Sequence, residues 1–301
     1  TNSNLSGVTY GNGTFVAVGG SIINRYYTGR TILTSPDGVT WTTRISGTGS
    51  DSGLLGVTYG NGTFVAVGST LSEMFSTGGT ILTSPDGVAW TIRISLNMGL
   101  SGVVYGNGTF LAVGQSGIIL TSPDGVTWTI GASGTSVILF GVTYGNGTFV
   151  AVGSSGTIVT SSDGVTWTIR ASGTSFTCMG VTYGNGPFVA VGYSGTILTS
   201  PDGVTWTTRT SGTSYILNGV TYGNGTFVAV GESGILTSPD GVTWTTRTSG
   251  TSGGLNGVTY GNDTFVAVGW SSPILTSPDG VTWTIRASGT SFTGMGVTYG
   301  N

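Results

Sequence analysis

The chain has 301 residues, of which 57 are glycine and only 6% are charged. All eight cations are arginine, histidine is absent, and the formal net charge of -3 leaves no basic surface, so we expect no nucleic-acid partner. No apolar run approaches the roughly 18 residues of a membrane helix. The single cysteine excludes an internal disulfide and a cysteine-rich metal site. The abundant Gly, Thr and Val disfavour helices and predict an all-β protein.

A short element, Gly-Val-(Thr/Val)-Tyr-Gly-Asn, recurs along the whole chain. It begins at Gly7, Gly56, Gly102, Gly141, Gly180, Gly219, Gly257 and Gly296. These positions define seven repeats and a surplus first strand over 296–301. Because repeated units share one continuous architecture, we expect a single domain over 1–301.

Each repeat predicts four short strands, named A to D in chain order. Strand A is Val-Thr-Tyr, and Asn-Gly then turns the chain into strand B, Thr-Phe-Val-Ala-Val. Strand C is Thr-Ile-Leu-Thr, and Pro-Asp-Gly turns it into strand D, Val-Thr-Trp-Thr. Seven four-stranded units of about 40 residues predict a seven-bladed β-propeller of antiparallel blades. A linear solenoid is the alternative architecture, although solenoids more often have shorter repeats and distinct capping units.

The turn between strands C and D carries a recurrent motif, Ser-Pro-Asp-Gly-Val-Thr-Trp. It lies at 35–41, 84–90, 122–128, 161–167, 200–206, 238–244 and 277–283, with Ala89 and Ser162 as variants. This motif resembles the Asp-box of the BNR-repeat group, which includes sialidase-like and photosystem II assembly factor-like propellers. In that group the box connects the third and fourth strands, and the resemblance therefore implies the same fold. It implies no single activity, because enzymes, receptors and assembly factors share it.

A sialidase-like hydrolase is the enzymatic alternative, and the resemblance implies that it needs three clustered arginines. Six arginines instead fall on the predicted strand D, namely Arg44, Arg93, Arg170, Arg209, Arg247 and Arg286, which leaves Arg25 and Arg30. The box aspartates are expected to accept backbone N–H groups in their own turns: Asp37, Asp86, Asp124, Asp163, Asp202, Asp240 and Asp279. One carboxylate per turn is too few for Ca²⁺. We therefore predict no catalytic residue, no metal and no cofactor.

The residues that differ between repeats are concentrated in the B–C and D–A connections. All nine aromatics that depart from the repeat lie there, as do two insertions at 21–30 and 70–79. An up-and-down meander puts these connections on one rim, and exposed aromatics on one face favour a binding site. Phe140, Met179 and Met295 precede strand A and have the alternative role of plugging the channel end. The candidate ligand-binding residues are Arg25, Tyr26, Tyr27, Gln115, Tyr193, Tyr215, Glu232, Trp270 and Phe292.

The expected function is recognition of a glycan or protein ligand by this rim, in an extracellular or cell-surface setting. A structural or self-assembling scaffold is the second hypothesis, since the strand 296–301 duplicates 7–12 and could close the ring or add to a neighbouring molecule. An excised piece of a longer array is a further reading of the same duplication.

Two residue types have both an ordinary and a functional interpretation. Cys178 occupies a position that is Leu in other repeats, and is expected in the core rather than as a reactive thiol. Asn-x-Thr sequons follow several strands A, but the Asn-Gly pair is expected for the positive φ of a tight turn rather than for glycosylation.

Overall fold

The strands form seven four-stranded antiparallel sheets, which are the blades of a seven-bladed β-propeller. The computed structural model describes residues 3–23, 26–45, 52–72, 75–270 and 274–287. In every blade the sheet order follows the chain order, so strand A lies at one edge and strand D at the other. The prediction of an all-β propeller is confirmed.

The strand bounds are similar in blades 3 to 7, whereas strands B and C are longer in blades 1 and 2. Blades 1 to 3 contain β1 (Ser3–Gly11), β2 (Thr14–Ile23), β3 (Tyr26–Ser35), β4 (Thr42–Arg44), β5 (Gly53–Gly60), β6 (Thr63–Ser72), β7 (Phe75–Ser84), β8 (Thr91–Leu96), β9 (Leu100–Gly106), β10 (Thr109–Gly114), β11 (Ile118–Ser122) and β12 (Thr129–Ala132). Blades 4 and 5 contain β13 (Leu139–Gly145), β14 (Thr148–Gly153), β15 (Ile158–Ser161), β16 (Thr168–Arg170), β17 (Cys178–Tyr183), β18 (Phe188–Gly192), β19 (Ile197–Ser200) and β20 (Thr207–Arg209). Blades 6 and 7 contain β21 (Leu217–Gly223), β22 (Thr226–Gly231), β23 (Gly234–Ser238), β24 (Thr245–Arg247), β25 (Leu255–Gly261), β26 (Thr264–Gly269), β27 (Ile274–Ser277) and β28 (Thr284–Arg286).

The two insertions were predicted as loops, and this is wrong. In blade 1, β2 and β3 continue as a paired ribbon until Ile23 faces Tyr26, and in blade 2, Ser72 faces Phe75 in the same way. The physical reason in blade 1 is the run of Ile and Tyr residues, which favour the extended, paired backbone. Tyr26, Tyr27 and Phe75 therefore lie in strands.

The Asn-Gly turns have the backbone conformation that the sequence predicts. In blade 1 both central residues of the turn have positive φ, at 47° for Asn12 and 71° for Gly13. This is the mirror-image turn whose twist matches that of the flanking strands. The asparagines of the turns are thus explained by backbone geometry, and glycosylation of the sequons stays a prediction.

The core lies between neighbouring blades. The Phe-(Val/Leu)-Ala-Val segment of strand B is 0% exposed in every blade, beginning with Phe15 in blade 1. Side chains of adjacent blades share each cluster; one of them joins Val16 and Ile32 of blade 1 to Leu54 and Phe64 of blade 2. An equivalent cluster joins blade 1 to blade 7, which closes the ring and excludes the linear solenoid.

The N-terminal copy of strand A completes blade 1, since β1 pairs with β2 from Ser3 to Gly11. The duplicate strand 296–301 lies outside the described residues, and its role in self-association stays a prediction. Cys178 is 0% exposed in the core, as predicted. No helix among the described residues is long and apolar enough to cross a membrane.

Each Ser-x-Asp-Gly-Val-x-Trp motif, called the box below, forms a closed turn with its own hydrogen bonds. Asp37 Oδ1 accepts from the backbone N–H groups of Val39 and Thr40, at 2.8 and 2.9 Å, and from the Ser35 hydroxyl at 2.9 Å. The Trp41 indole N–H donates to the Gly38 carbonyl at 2.8 Å. These backbone bonds lower the pKa of the Asp37 carboxyl, because they stabilise its charged form. The same geometry recurs in all seven boxes, so the aspartates act within their turns.

The strand-D arginines lie at the outer edge of the wheel, as predicted. The Arg44 Nε donates to the Thr34 hydroxyl on strand C at 2.7 Å, and five other blades repeat this bond. The arrangement spreads these arginines around the circumference instead of gathering them at the axis.

Candidate ligand-binding site at the channel mouth

The B–C and D–A connections lie together on one rim of the wheel. The first residue after strand B donates its backbone N–H to a carbonyl just before strand A, as Tyr193 does to Thr177 at 2.9 Å. Four further blades have the same bond, which pairs Gln115 with Gly99, Ser154 with Ile138, Glu232 with Ile216 and Trp270 with Gly254. We call this side of the wheel the variable rim.

Most of the predicted site residues that can be described are exposed on the variable rim. Tyr193 is 43% exposed, Tyr215 and Trp270 are both 56% exposed, and Glu232 is exposed. Gln115 is half-buried, and its side-chain oxygen accepts from the backbone N–H of Gly99 at 3.0 Å. Tyr26 and Tyr27 lie in β3, but their side chains are outside the described part of the structure. Arg25 and Phe292 lie outside the described residues altogether.

The axis of the wheel is a narrow channel lined by backbone. Its wall consists of seven Gly-Val pairs, one from the start of strand A in each blade, and it encloses about 200 Å³. The glycines allow adjacent first strands to approach closely, since a Cβ on Gly7 would lie 3.3 Å from the Cα of Gly56. Any larger residue here would push the blades apart.

A wider recess of about 380 Å³ opens above this channel at the variable rim. Seven of its lining residues immediately precede the channel glycines, one per blade, and we call them the mouth ring. In order around the axis they are Ser6, Leu55, Ser101, Phe140, Met179, Asn218 and Asn256. Asn4 and Trp270 also line it. Among the predicted ligand-binding residues whose side chains the structure describes, Trp270 is the one that lines the recess.

A β-bulge aims each mouth-ring residue at the recess. In blade 1 Leu5 faces Gly19 and Gly7 faces Val18, so Ser6 has no partner residue on β2. The same register shift occurs in the other six blades. A bulge places an extra residue on one strand and re-aims its side chain. The fold therefore presents seven side chains to one space.

The chemistry of the mouth ring changes around the axis. Blades 2, 4 and 5 contribute the apolar side chains Leu55, Phe140 and Met179, all half-buried. Blades 6 and 7 contribute Asn218 and Asn256, whose amide nitrogens donate to the carbonyls of Leu255 and Leu5 at 2.9 Å. Each of these bonds reaches the next blade and fixes the amide, which leaves the Oδ1 atoms as acceptors. The recess therefore has an apolar arc and an amide arc. Ser101 interrupts the apolar arc between Leu55 and Phe140, and Ser6 lies between Leu55 and the amide arc.

The described residues that line the recess are Asn, Ser, Leu, Phe, Met and Trp, and none of them is ionisable. These side chains offer no general acid, base or charged nucleophile. Within the described residues, no three His, Cys, Asp or Glu side chains are grouped as metal ligands. The arrangement can hold a ligand through apolar contact and neutral hydrogen bonds.

A separate groove of about 510 Å³ lies between blades at the variable rim. Phe176 and Arg209 line it, together with the backbone and hydroxyls of 173–174, 194–196 and 210–214. Tyr193 and Tyr215 directly flank two of these segments in the chain. The described rim aromatics are therefore found in two places, with Trp270 at the mouth and Phe176 in this groove.

The mouth ring was largely missed by the sequence reasoning, which noted only Phe140 and Met179 as possible plugs of the channel. The missed residues are Ser6, Leu55, Ser101, Asn218 and Asn256. The signal that could have found them is the variation at one position between repeats, directly before an invariant glycine. That position holds five residue types in seven blades, while the strand that follows hardly changes.

Comparisons with known proteins show likeness in structure. No protein-family model matches the chain, and no curated protein matches it in sequence. The structure of YCF48 bound to D1 peptide is similar, with a TM-score of 0.70, 16% identity, and coverage of 94% of this chain and 93% of that chain. YCF48 from Cyanidioschyzon merolae has a TM-score of 0.66 and 18% identity, over 92% of this chain and 95% of that one. The computationally designed Ika8 protein has a TM-score of 0.60 and 9% identity, over 92% of this chain and 96% of that one. At such identities the likeness shows the fold, and this fold is the β-propeller.

Proposed function

We propose that this chain is a non-catalytic binding propeller whose channel-mouth recess holds an extended segment of a protein partner. The observation that carries the proposal is the division of the mouth ring into an apolar arc and an amide arc. A structurally similar propeller, YCF48, has been solved with a bound peptide, which supports a peptide over other ligands.

A peptide matches both arcs of the recess. An apolar side chain of the peptide would lie against Leu55, Phe140 and Met179, where burial of apolar surface stabilises the complex. Backbone N–H groups of the peptide would donate to the side-chain oxygens of Asn218 and Asn256. Trp270, at the edge of the recess, offers an amphipathic ring of the kind that is enriched at binding hot spots.

The size of the recess limits how much of a partner it can take. Ligand sites for drug-sized molecules measure about 300–1,000 Å³, and this recess of about 380 Å³ is near the lower end. It fits one anchoring side chain and its neighbouring backbone. The remainder of the partner would lie across the variable rim.

The test is selection of peptides from a random displayed library, with the wild type and a mouth variant as targets. The variant is Phe140→Ser with Met179→Ser, since serine already occupies this ring position in blades 1 and 3 and the fold tolerates it there. The wild type is expected to enrich peptides with a large apolar residue. The variant is expected to bind those peptides at least about tenfold more weakly, a loss of 1.4 kcal/mol or more.

Equal peptide binding by the variant would show that the mouth is not the site. A glycan array probed with the same two proteins addresses the other ligand class. Saccharide binding by a wild type that enriches no peptide would replace the proposal with a glycan-binding function.

An extracellular setting, expected from the low charge and the abundant Ser and Thr, stays a prediction. Antibody staining of intact and permeabilised cells checks it, because staining that requires permeabilisation would contradict a surface location.

A further inference from the structure

The outer edge of blade 3 differs from the other six in one residue. Six blades carry an arginine on strand D, three residues after the box Trp, whereas blade 3 has Gly131 at that place. Its strand β12 (Thr129–Ala132) therefore contains no charged side chain. Like every fourth strand, β12 is the outermost strand of its sheet.

The backbone does not require glycine at this place. Gly131 is not among the residues with positive φ, and an added Cβ would meet only the Ile119 carbonyl oxygen, at 3.7 Å. That distance is an ordinary van der Waals contact. Neither conformation nor packing within the blade explains why Arg is replaced by Gly here. Glycine in a strand also marks places where another backbone approaches closely.

Absence of the arginine uncovers the sheet face beside the outer edge of blade 3. In the other blades the arginine Nε bonds to a strand-C threonine, and these threonines are 2% to 5% exposed. The equivalent Thr121 in blade 3 is only half-buried. On the opposite face of the strand, Ile130 is 62% exposed and Ala132 is exposed. The equivalent Ile169 and Ile285 are 58% and 55% exposed in blades that keep the arginine.

A groove of about 530 Å³ runs beside this edge. Its apolar walls come from Met98, Ile118 and Ile130, and the rest is backbone and small polar residues of 116–117 and 131–136. The equivalent groove in blade 5 contains Arg209. Blade 3 thus combines an unpaired strand edge, an exposed isoleucine and an uncharged groove, which is the combination that other proteins protect with charge.

We propose that this face is a self-association surface, on which β12 pairs antiparallel with β12 of a second copy of the chain. A two-fold axis brings both copies of every strand residue into one short ladder. A strand that carries Arg would bring two like charges together there, and like charges opposite one another destabilise a sheet. A ladder of two β12 strands contains no charge.

The missing charge favours a second copy of the chain as the occupant of this face. A different partner could meet an arginine with Asp or Glu, so docking of such a partner would not require the arginine to be absent. Self-pairing does require it, because each copy brings the same residue. The low net charge of -3 adds little long-range repulsion between copies.

The dimer is expected to be weak. A ladder of four residues per chain, with its flanking groove, is at the small end of specific interfaces, where complexes are transient. It would leave the variable-rim mouth to other ligands, so the two proposals are independent of each other.

Sedimentation velocity over a series of concentrations tests the proposal with the whole chain. The wild type is expected to show a monomer–dimer equilibrium. Gly131→Arg, which restores the residue of the other six blades, is expected to raise the dimer dissociation constant at least about tenfold. Gly131→Ala is expected to leave it within about threefold, since the Cβ fits within the blade.

A matched charge control is Thr43→Arg, on the outer strand of blade 1, which changes the net charge by the same amount away from β12. Thr43→Arg is expected to leave the dimer dissociation constant unchanged. Ile130→Lys is expected to abolish the dimer. Circular dichroism checks that each variant is folded. A wild type that is monomeric at every concentration, a dimer that survives both Gly131→Arg and Ile130→Lys, or equal weakening by Thr43→Arg overturns the proposal.

Discussion

The ring of Tyr10 lies against the backbone of Gly261, so that blade 1 meets blade 7 through the contact that joins every other pair of blades. In each seam the strand-A tyrosine of one blade covers the glycine that ends strand A of the preceding blade. The seven pairs are Gly11 with Tyr59, Gly60 with Tyr105, Gly106 with Tyr144, Gly145 with Tyr183, Gly184 with Tyr222, Gly223 with Tyr260, and Gly261 with Tyr10. The ring therefore closes by side-to-side packing, with the same chemistry at the seam between the first and last blades.

Gly261→Ala is expected to lower the free energy of unfolding by about 1–3 kcal/mol, because its Cβ would overlap the Tyr10 ring and force a shift in a packed seam. Urea unfolding followed by tryptophan fluorescence measures the change. Gly131→Ala is the control, since that position has room for a Cβ. Equal stability of the two variants would mean that the closing seam does not hold the wheel together.

The parts of this structure that follow from local rules could be predicted from sequence. The Asn12-Gly13 turn and the box of Asp37 depend on residues within a few positions of each other, and both have the expected geometry. The mouth ring depends on which residues pair across strands. Ser6 sits between the buried Leu5 and Gly7, and only the register with β2 shows that it is bulged towards the axis. Comparison of repeats reveals the variation at this position, but the direction of the side chain requires the fold.

Stability is expected to fall as the pH drops below about 4. In the folded chain the pKa of each box aspartate lies below its ordinary value, chiefly because backbone N–H groups bond to the carboxylate. Between the folded and unfolded pKa values the unfolded chain therefore binds more protons than the folded chain. The contribution of the box aspartates to the free energy of unfolding is present above the unfolded pKa and is lost as pH falls towards the folded pKa. Urea unfolding at several pH values between about 2 and 6 measures the slope.

The matched variant for the pH experiment is Asp202→Asn, which keeps an oxygen acceptor for the N–H groups of Val204 and Thr205 but cannot titrate. Its stability should depend less steeply on acid pH than that of the wild type. An unchanged slope would show that the box carboxylates do not set the acid sensitivity of the fold.

The thiol of Cys178 is expected to be unreactive while the chain is folded. Its side chain is 0% exposed, and burial raises its pKa to about 12, so the reactive thiolate is scarce at neutral pH. An aromatic disulfide reagent should therefore label the native chain slowly and the denatured chain at once. Because Cys178 is the sole cysteine, the absorbance of the released thiol reports this site alone. Rapid labelling at a rate independent of denaturant would contradict its place in the core.

Two exposed aromatics of the variable rim can distinguish a peptide-binding site confined to the channel mouth from one that extends across the rim. Trp270 lines the channel-mouth recess. Tyr193 is not among the lining residues of the recess and directly precedes residues 194–196, which line the groove between blades. Trp270→Ala is expected to weaken the binding of selected peptides at least about tenfold, because truncation of an aromatic hot spot costs about 2 kcal/mol or more. Tyr193→Ala, of comparable exposure, is expected to change it by less than about threefold. Titration of a labelled peptide by fluorescence anisotropy gives the dissociation constant of each variant. Equal losses of affinity in the two variants would mean that the site extends across the rim. Unchanged affinity in both variants would place the site elsewhere.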